Sequence, residues 1–195
     1  MAQTVLRVGN CSGFYGDRLA AAREMVEGGP IDVLTGDYLA ELTMAILYRS
    51  RVKRPETGYA TTFLTQMEQV LGTCLEKRIR VVSNAGGLNP AGLAEALARL
   101  ADKLGLKARI AYIAGDDVLD RLPAWQAEGH PLKHLDKGTP LNELKGPVVT
   151  ANAYLGGWGI AEALRLEADV VICGRVTDAS LVVGPAAWHF GWGRE

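Results

Sequence analysis

The sequence predicts an α/β domain: a mostly parallel sheet of about six strands with helices on both faces, in three layers. Three observations predict it. Short β-branched runs alternate with longer stretches of helical period. The runs are apolar on both faces, as in Val170, Val171 and Ile172 and in Ile79, Val81 and Val82, the pattern of parallel strands covered on both sides. Each run is followed by a turn rich in Gly, Asn and Asp. A partial (βα) barrel is the competing architecture, because sequential βα units also build barrels. At 195 residues the chain reads as one domain, 1–195, rather than two small ones.

In order, residues 4–8 read as the first strand. Residues 17–27 follow as a helix with Leu19, Ala22 and Val26 on one face. Residues 31–34 are the second strand and 38–48 a second helix. Arg49, Arg51, Lys53, Arg54 and Pro55 then mark an exposed turn. Residues 60–77 form a long helix whose stripe is Phe63, Leu64, Met67, Val70, Leu71, Cys74 and Leu75. The third strand is 79–82. Residues 90–104 form a helix, with Pro90 in its first turn and Asn89 as its cap. Residues 108–113 are the fourth strand, with a helix from Asp117. Pro123, Pro131, Pro140 and Pro147 make the following stretch the least regular. Residues 148–151 read as the fifth strand, 160–166 as a helix, Val170–Cys173 as the sixth strand and 177–188 as the closing helix.

Composition excludes several classes. The formal charge is −1 and only 7% of residues are aromatic, so neither a basic field nor stacking platforms exist for nucleic acid. No run approaches the roughly 20 apolar residues of a membrane span, and the start is too polar for a signal peptide. A cytoplasmic location is therefore expected. Cys11, Cys74 and Cys173 are too few and too far apart for a disulfide framework or a zinc site. Each reads first as a buried small apolar residue, with Cys11 and Cys173 as nucleophiles only if their pKa is lowered.

In a parallel sheet the turns after the strands emerge on one edge, where ligands bind. They are Gly9-Asn10-Cys11-Ser12-Gly13, Thr35-Gly36-Asp37, Ser83-Asn84-Ala85-Gly86-Gly87, Gly115-Asp116-Asp117, Thr150-Ala151-Asn152-Ala153-Tyr154 and Gly174-Arg175-Val176-Thr177-Asp178. Asp17, Asp37, Asn89, Asp117 and Thr177 each also read as plain helix caps. Asn84 and Asn152 precede glycines rather than helix starts, so capping explains them less well. The first turn lacks GxGxxG and no GxxxxGK[ST] occurs, so no nucleotide fingerprint is evident. Gly9, Ser12 and Gly13 still offer backbone N–H groups to an anion. No histidine lies in these turns and GxSxG is absent, so a serine triad is not expected. Acid–base work would fall to carboxylates, or to His130 or His134 arriving on the Pro-rich segment. Asp37, Asp116, Asp117 and Asp178 could together collect a divalent cation such as Mg²⁺. Arg175 is the one cation at a strand end; it reads as a salt bridge to Asp178 or as a fork for a carboxylate or phosphate.

Gly9-Asn10-Cys11-Ser12-Gly13-Phe14, Gly58-Tyr59-Ala60, Ser83-Asn84-Ala85-Gly86-Gly87-Leu88-Asn89-Pro90, Ala151-Asn152-Ala153-Tyr154-Leu155-Gly156 and Gly174-Arg175-Val176-Thr177-Asp178-Ala179-Ser180-Leu181 resemble the acyclic terpene utilisation (AtuA-like) family. The resemblance implies a place in the breakdown of citronellol- and geraniol-like compounds, with a branched acyl-CoA or terpenoid acid as substrate. It also implies a longer protein, of which this chain resembles the N-terminal part. The exposed aromatics expected at Trp188, Phe190 and Trp192 fit a missing C-terminal domain or a homo-oligomer. Lyase, hydratase or isomerase chemistry is expected in the absence of a redox fingerprint. Asp117 and Asp178 are then the candidate catalytic carboxylates. Asn84, Gly86, Gly87, Asn152 and Arg175 are the candidate substrate contacts, and Gly9, Ser12 and Gly13 the candidate anion site. The competing expectations are a non-catalytic binding or assembly subunit and an inactive truncated product.

Overall fold

The structure, a computed structural model, describes residues 5–193. Among them the elements run β1 (Val8–Asn10), α1 (Ala21–Gly28), β2 (Val33–Gly36), α2 (Glu41–Lys53), α3 (Thr62–Lys77), β3 (Arg80–Ser83), α4 (Pro90–Lys103), β4 (Ile110–Ile113), α5 (Leu122–Ala127), α6 (Trp158–Arg165), β5 (Val170–Cys173) and α7 (Ser180–Phe190). Single 3₁₀ turns lie at Leu119–Arg121 and Leu141–Glu143. The described strands form one five-stranded parallel sheet in the order β1-β2-β3-β5-β4. Its edges, β1 and β4, stay apart, so the sheet is open and the barrel is excluded.

The period of two along each strand divides the core into two layers. Leu34, Val81, Val170 and Ile172 face a cluster with Val26, Met67, Leu71, Leu93 and Leu97, drawn from α1, α3 and α4. Val33, Val82, Val171 and Cys173 face a second cluster with Ile160, Leu164 and Leu181 from α6 and α7. Every one of these residues is buried, and each large aliphatic among them contributes about 1.5–3 kcal/mol. This is the expected three-layer arrangement.

The sheet differs from expectation in having five strands, not six. Residues 148–151 form no strand; a lone antiparallel bridge joins Asp117 to Asn152 just beyond them. The place beside β3 is taken by β5, and β4 closes the edge. The first strand begins at Val8 rather than Thr4, which lies outside the described residues, because the ladder with β2 opens at Val8↔Val33. α1 begins at Ala21 because Asp17 spends its carboxylate on the preceding turn, accepting from the N–H groups of Gly13 (2.9 Å) and Arg18 (2.7 Å). α2 runs on through the predicted turn to Lys53, since Pro55 is the first residue that cannot continue it. The helix predicted from Asp117 is a 3₁₀ turn followed by α5. α4 starts as expected: Asn89 caps it, accepting from Gly92 N–H at 2.9 Å.

One feature of the topology positions the site. The chain leaves β3 through α4, passes over the place of β5, and forms β4; it then returns through α6 to insert β5 between them. The connections after β3 and β5 therefore run to opposite faces of the sheet, and a crevice opens between their carboxyl ends.

Candidate functional site

Backbone contacts close this crevice at its base. Gly86 N–H donates to Cys173 O at 3.0 Å, and a Cβ at Gly86 would lie 2.5 Å from that oxygen. Gly87 has a φ of +52° and packs on Leu47 and the carbonyl of Gly58. Both glycines are buried, so they join the β3 turn to β5 and α2. Asn84 is fully buried; its Oδ1 accepts from Tyr38 N–H at 2.7 Å and its Nδ2 donates to Asp37 Oδ1 at 2.6 Å. These bonds fix the turn that leads into α2 and hence the position of Glu41.

The wall beyond β4 and β5 is built on Asp116. Its buried carboxylate accepts from Arg175 N–H at 2.8 Å and from Asn152 Nδ2 at 2.9 Å, while its carbonyl accepts from Ala153 N–H at 2.7 Å. A Cβ at Gly174 would lie 2.5 Å from Asp116 Oδ2, so this strand end needs glycine. Leu155 N–H donates to Arg175 O, and Thr177 N–H to Leu155 O. The stretch 150–155 is thereby laid along the crevice.

Arg175 is the centre of the arrangement. Its side chain is only 6% exposed. Nη2 donates to Tyr154 Oη and, at 3.3 Å, to Glu41 Oε1. The guanidinium carbon lies 4.3 Å from the centre of the Tyr154 ring, a cation–π contact. Nη1 is buried and has no hydrogen-bond partner among the described residues. Tyr154 Oη donates to Glu41 Oε1 at 2.5 Å. That bond first, and Arg175 with it, holds the Glu41 carboxyl below the usual glutamate range. The same bond and partial burial push the Tyr154 hydroxyl up, so it keeps its proton. Glu41, Met44, Thr150, Asn152, Tyr154 and Arg175 line a cavity of about 160 Å³.

The predicted residues thus separate. Arg175 and Asn152 lie on this cavity, and Asn84, Gly86 and Gly87 support it from below. Asp117 is exposed, and its Oδ1 accepts from Leu119 N–H at 3.1 Å just ahead of the 3₁₀ turn. Asp178 is exposed in the turn before α7, and Arg175 pairs with Glu41 rather than with it. In the first turn, Gly13 N–H is taken by Asp17, Ser12 Oγ donates to Phe14 O, and a Cβ at Gly9 would strike Met25. Among the described residues no group of three or more metal-ligating side chains converges. Asp37 is engaged by Asn84, and Asp116 by Asn152 and Arg175. All three cysteines are free and buried. Burial pushes the Cys11 thiol up to about 11, Cys74 to about 12 and Cys173 further, the reverse of nucleophile activation.

Glu41 and Tyr154 are the residues that sequence reasoning missed. A glutamate opening a helix looks like an ordinary dipole partner, and Tyr154, although it stands in a strand-end turn, has no local pattern that pairs it with Arg175. A larger groove, about 650 Å³, lies at the opposite, amino ends of the strands beside Leu106, Arg109 and Asp169. Two of its charged groups are engaged in ion pairs: Arg109 with Glu167 and Asp169, and Asp169 with Arg80.

Among the described residues no helix is long and apolar enough to cross a membrane. No curated protein and no solved structure matches the chain. A sequence model described as acyclic terpene utilisation family protein AtuA matches residues 6–195. With the match covering nearly the whole chain, the protein belongs to the acyclic terpene utilisation family.

Proposed function

We propose that this chain binds the acyl end of a branched terpenoid acid, or of its CoA thioester, in the crevice between β3 and β5, and serves acid–base chemistry of the lyase, hydratase or isomerase kind. The observation that carries the reading is Arg175. A buried guanidinium at the carboxyl edge of the sheet, with one nitrogen unpartnered, suits a carbonyl or carboxylate oxygen. Asn152 offers a second polar contact on the same cavity. Glu41, ionised, and Tyr154, protonated, form a proton-accepting and proton-donating pair beside it. A cavity of about 160 Å³ encloses a head group, so the branched tail would extend beyond it.

The test is turnover of geranate and geranoyl-CoA by the full chain, followed by mass spectrometry. Arg175→Ala and Asn152→Ala should abolish it with the fold intact. Tyr154→Phe should lower it by about 10²-fold, the usual worth of one general acid–base group. Unchanged turnover in all three variants sinks the assignment.

A second reading has its own support. The carboxylates singled out from sequence, Asp117 and Asp178, stand exposed, and the cavity measures only about 160 Å³. Both suit a binding or assembly subunit whose remaining site lies in a C-terminal domain or a second copy. Thermal stabilisation by these ligands without any turnover favours that reading.

A further inference from the structure

Glu41 and Tyr154, the two side chains bonded to Arg175, both line its cavity. Nη1 of Arg175 has less than 1 Å² exposed and no partner among the described residues. A ligand reaches it only if something moves. The side chains bonded to the other terminal nitrogen, Nη2, are those of Glu41 and Tyr154. The Glu41 side chain is 83% exposed, and Tyr154 is 52% exposed. Glu41 is the first residue of α2, so its side chain can swing into water with no change in the backbone. Arg175 is held differently. Its backbone is fixed on both sides by Asp116 and Leu155, and its side chain is buried. The mobile partner of this ion pair is the carboxylate, and the fixed partner is the guanidinium.

The pairing is also incomplete. A guanidinium presents parallel N–H groups that match both oxygens of a carboxylate. Glu41 meets Arg175 through one oxygen, Oε1, on one nitrogen, Nη2. The same oxygen is shared with the Tyr154 hydroxyl. Half of the fork is unused, although the charge is buried and an uncompensated buried donor is costly. A carboxylate engaging both Nη1 and Nη2 would satisfy it.

We propose that the free protein is self-liganded: Glu41 occupies on Arg175 the place of a ligand carboxylate, and a monocarboxylate enters by displacing Glu41 and engaging both terminal nitrogens of the fork. The proposal rests on the reading of Arg175 as the acyl anchor and narrows it from acyl groups in general to a free acid. A thioester or amide carbonyl offers one neutral oxygen and cannot replace the charge that Glu41 supplies. Displacement also removes from Glu41 the hydrogen bond and the cation that hold its proton affinity down. The released carboxylate stands in solvent, away from Arg175 and Tyr154.

Isothermal titration of the full chain with geranate and with neutral geranamide tests this. In wild type, geranate should bind and geranamide should bind far more weakly. Glu41→Gln and Glu41→Ala remove the competing charge at an exposed position. They should tighten geranate by about twofold to fivefold, a modest gain because an exposed partner is screened by solvent, and leave geranamide unchanged. Arg175→Met and Arg175→Lys should lose geranate binding. Geranate affinity that is unchanged or weaker in both Glu41 variants, with binding still lost on changing Arg175, overturns the displacement and leaves the Arg175 anchor standing. Full binding in both Arg175 variants, or no binding in wild type, overturns the two together.

Discussion

Single residues here divide into those that touch the cavity and those that hold it in place. Tyr154 belongs to the first group. Its hydroxyl is the main cause of the lowered Glu41 pKa, so Tyr154→Phe should raise Glu41 toward the ordinary glutamate range, read by carboxyl carbon NMR as a function of pH. Asn84 belongs to the second group. Asn84→Ala removes a buried amide that bonds Tyr38 N–H and Asp37, and should cost about 2–3 kcal/mol in urea unfolding. Asp17 shows how the first turn is maintained. The Gly13 and then the Arg18 N–H groups hold its pKa below the usual aspartate value. A depressed pKa stabilises the fold above the unfolded-state value and loses that contribution as pH falls through the folded value. Wild type should therefore lose stability below about pH 4 more steeply than Asp17→Asn, by thermal melts across that range. Arg175 was legible because it is the one cation at a strand end. Glu41 was not, because no local pattern tells a helix-opening glutamate from one that meets a residue 134 positions away.

At the level of whole elements, the helices with a strong apolar stripe could be placed from sequence. α3 ends at Lys77 as expected, and α4 starts at Pro90 behind its Asn89 cap. The stretch 148–151 misled because Val148, Val149 and Thr150 carry strand propensity. Propensity cannot say whether a sheet has a place to offer, and here β5 lies beside both β3 and β4. Close approach of elements was likewise hidden. A Cβ at Gly184 in α7 would lie 2.7 Å from Ile160 in α6, and one at Gly157 would lie 2.9 Å from Gly184 N. Gly184→Ala should thus force α6 and α7 apart and cost about 1–3 kcal/mol. The measurement is the unfolding midpoint together with near-ultraviolet dichroism from Trp158 and Trp188. Gly174→Ala should be worse for function than for stability. It drives Asp116 off Arg175 N–H and Asn152, and should weaken geranate binding by at least about tenfold, checked by titration.

Over the whole molecule, the parallel open sheet and its two helix layers followed from the double-faced strands and the βα alternation. The strand order did not, because nothing local announces that β5 returns to lie between β3 and β4. That reversal gives the chain its crevice, and it is why turns distant in sequence, at Asn84, Asp116, Asn152 and Arg175, meet at one edge. On the proposal above, that edge, with Arg175 as anchor, is where the acyl ligand binds. The most direct test is a crystal structure of the chain with geranate bound. The predicted result is the ligand carboxylate within hydrogen-bond distance of Arg175 Nη1 and Nη2, with Glu41 turned into solvent. A carboxylate seated instead at the Gly9–Gly13 turn, or in the groove beside Arg109 at the opposite ends of the strands, would contradict it.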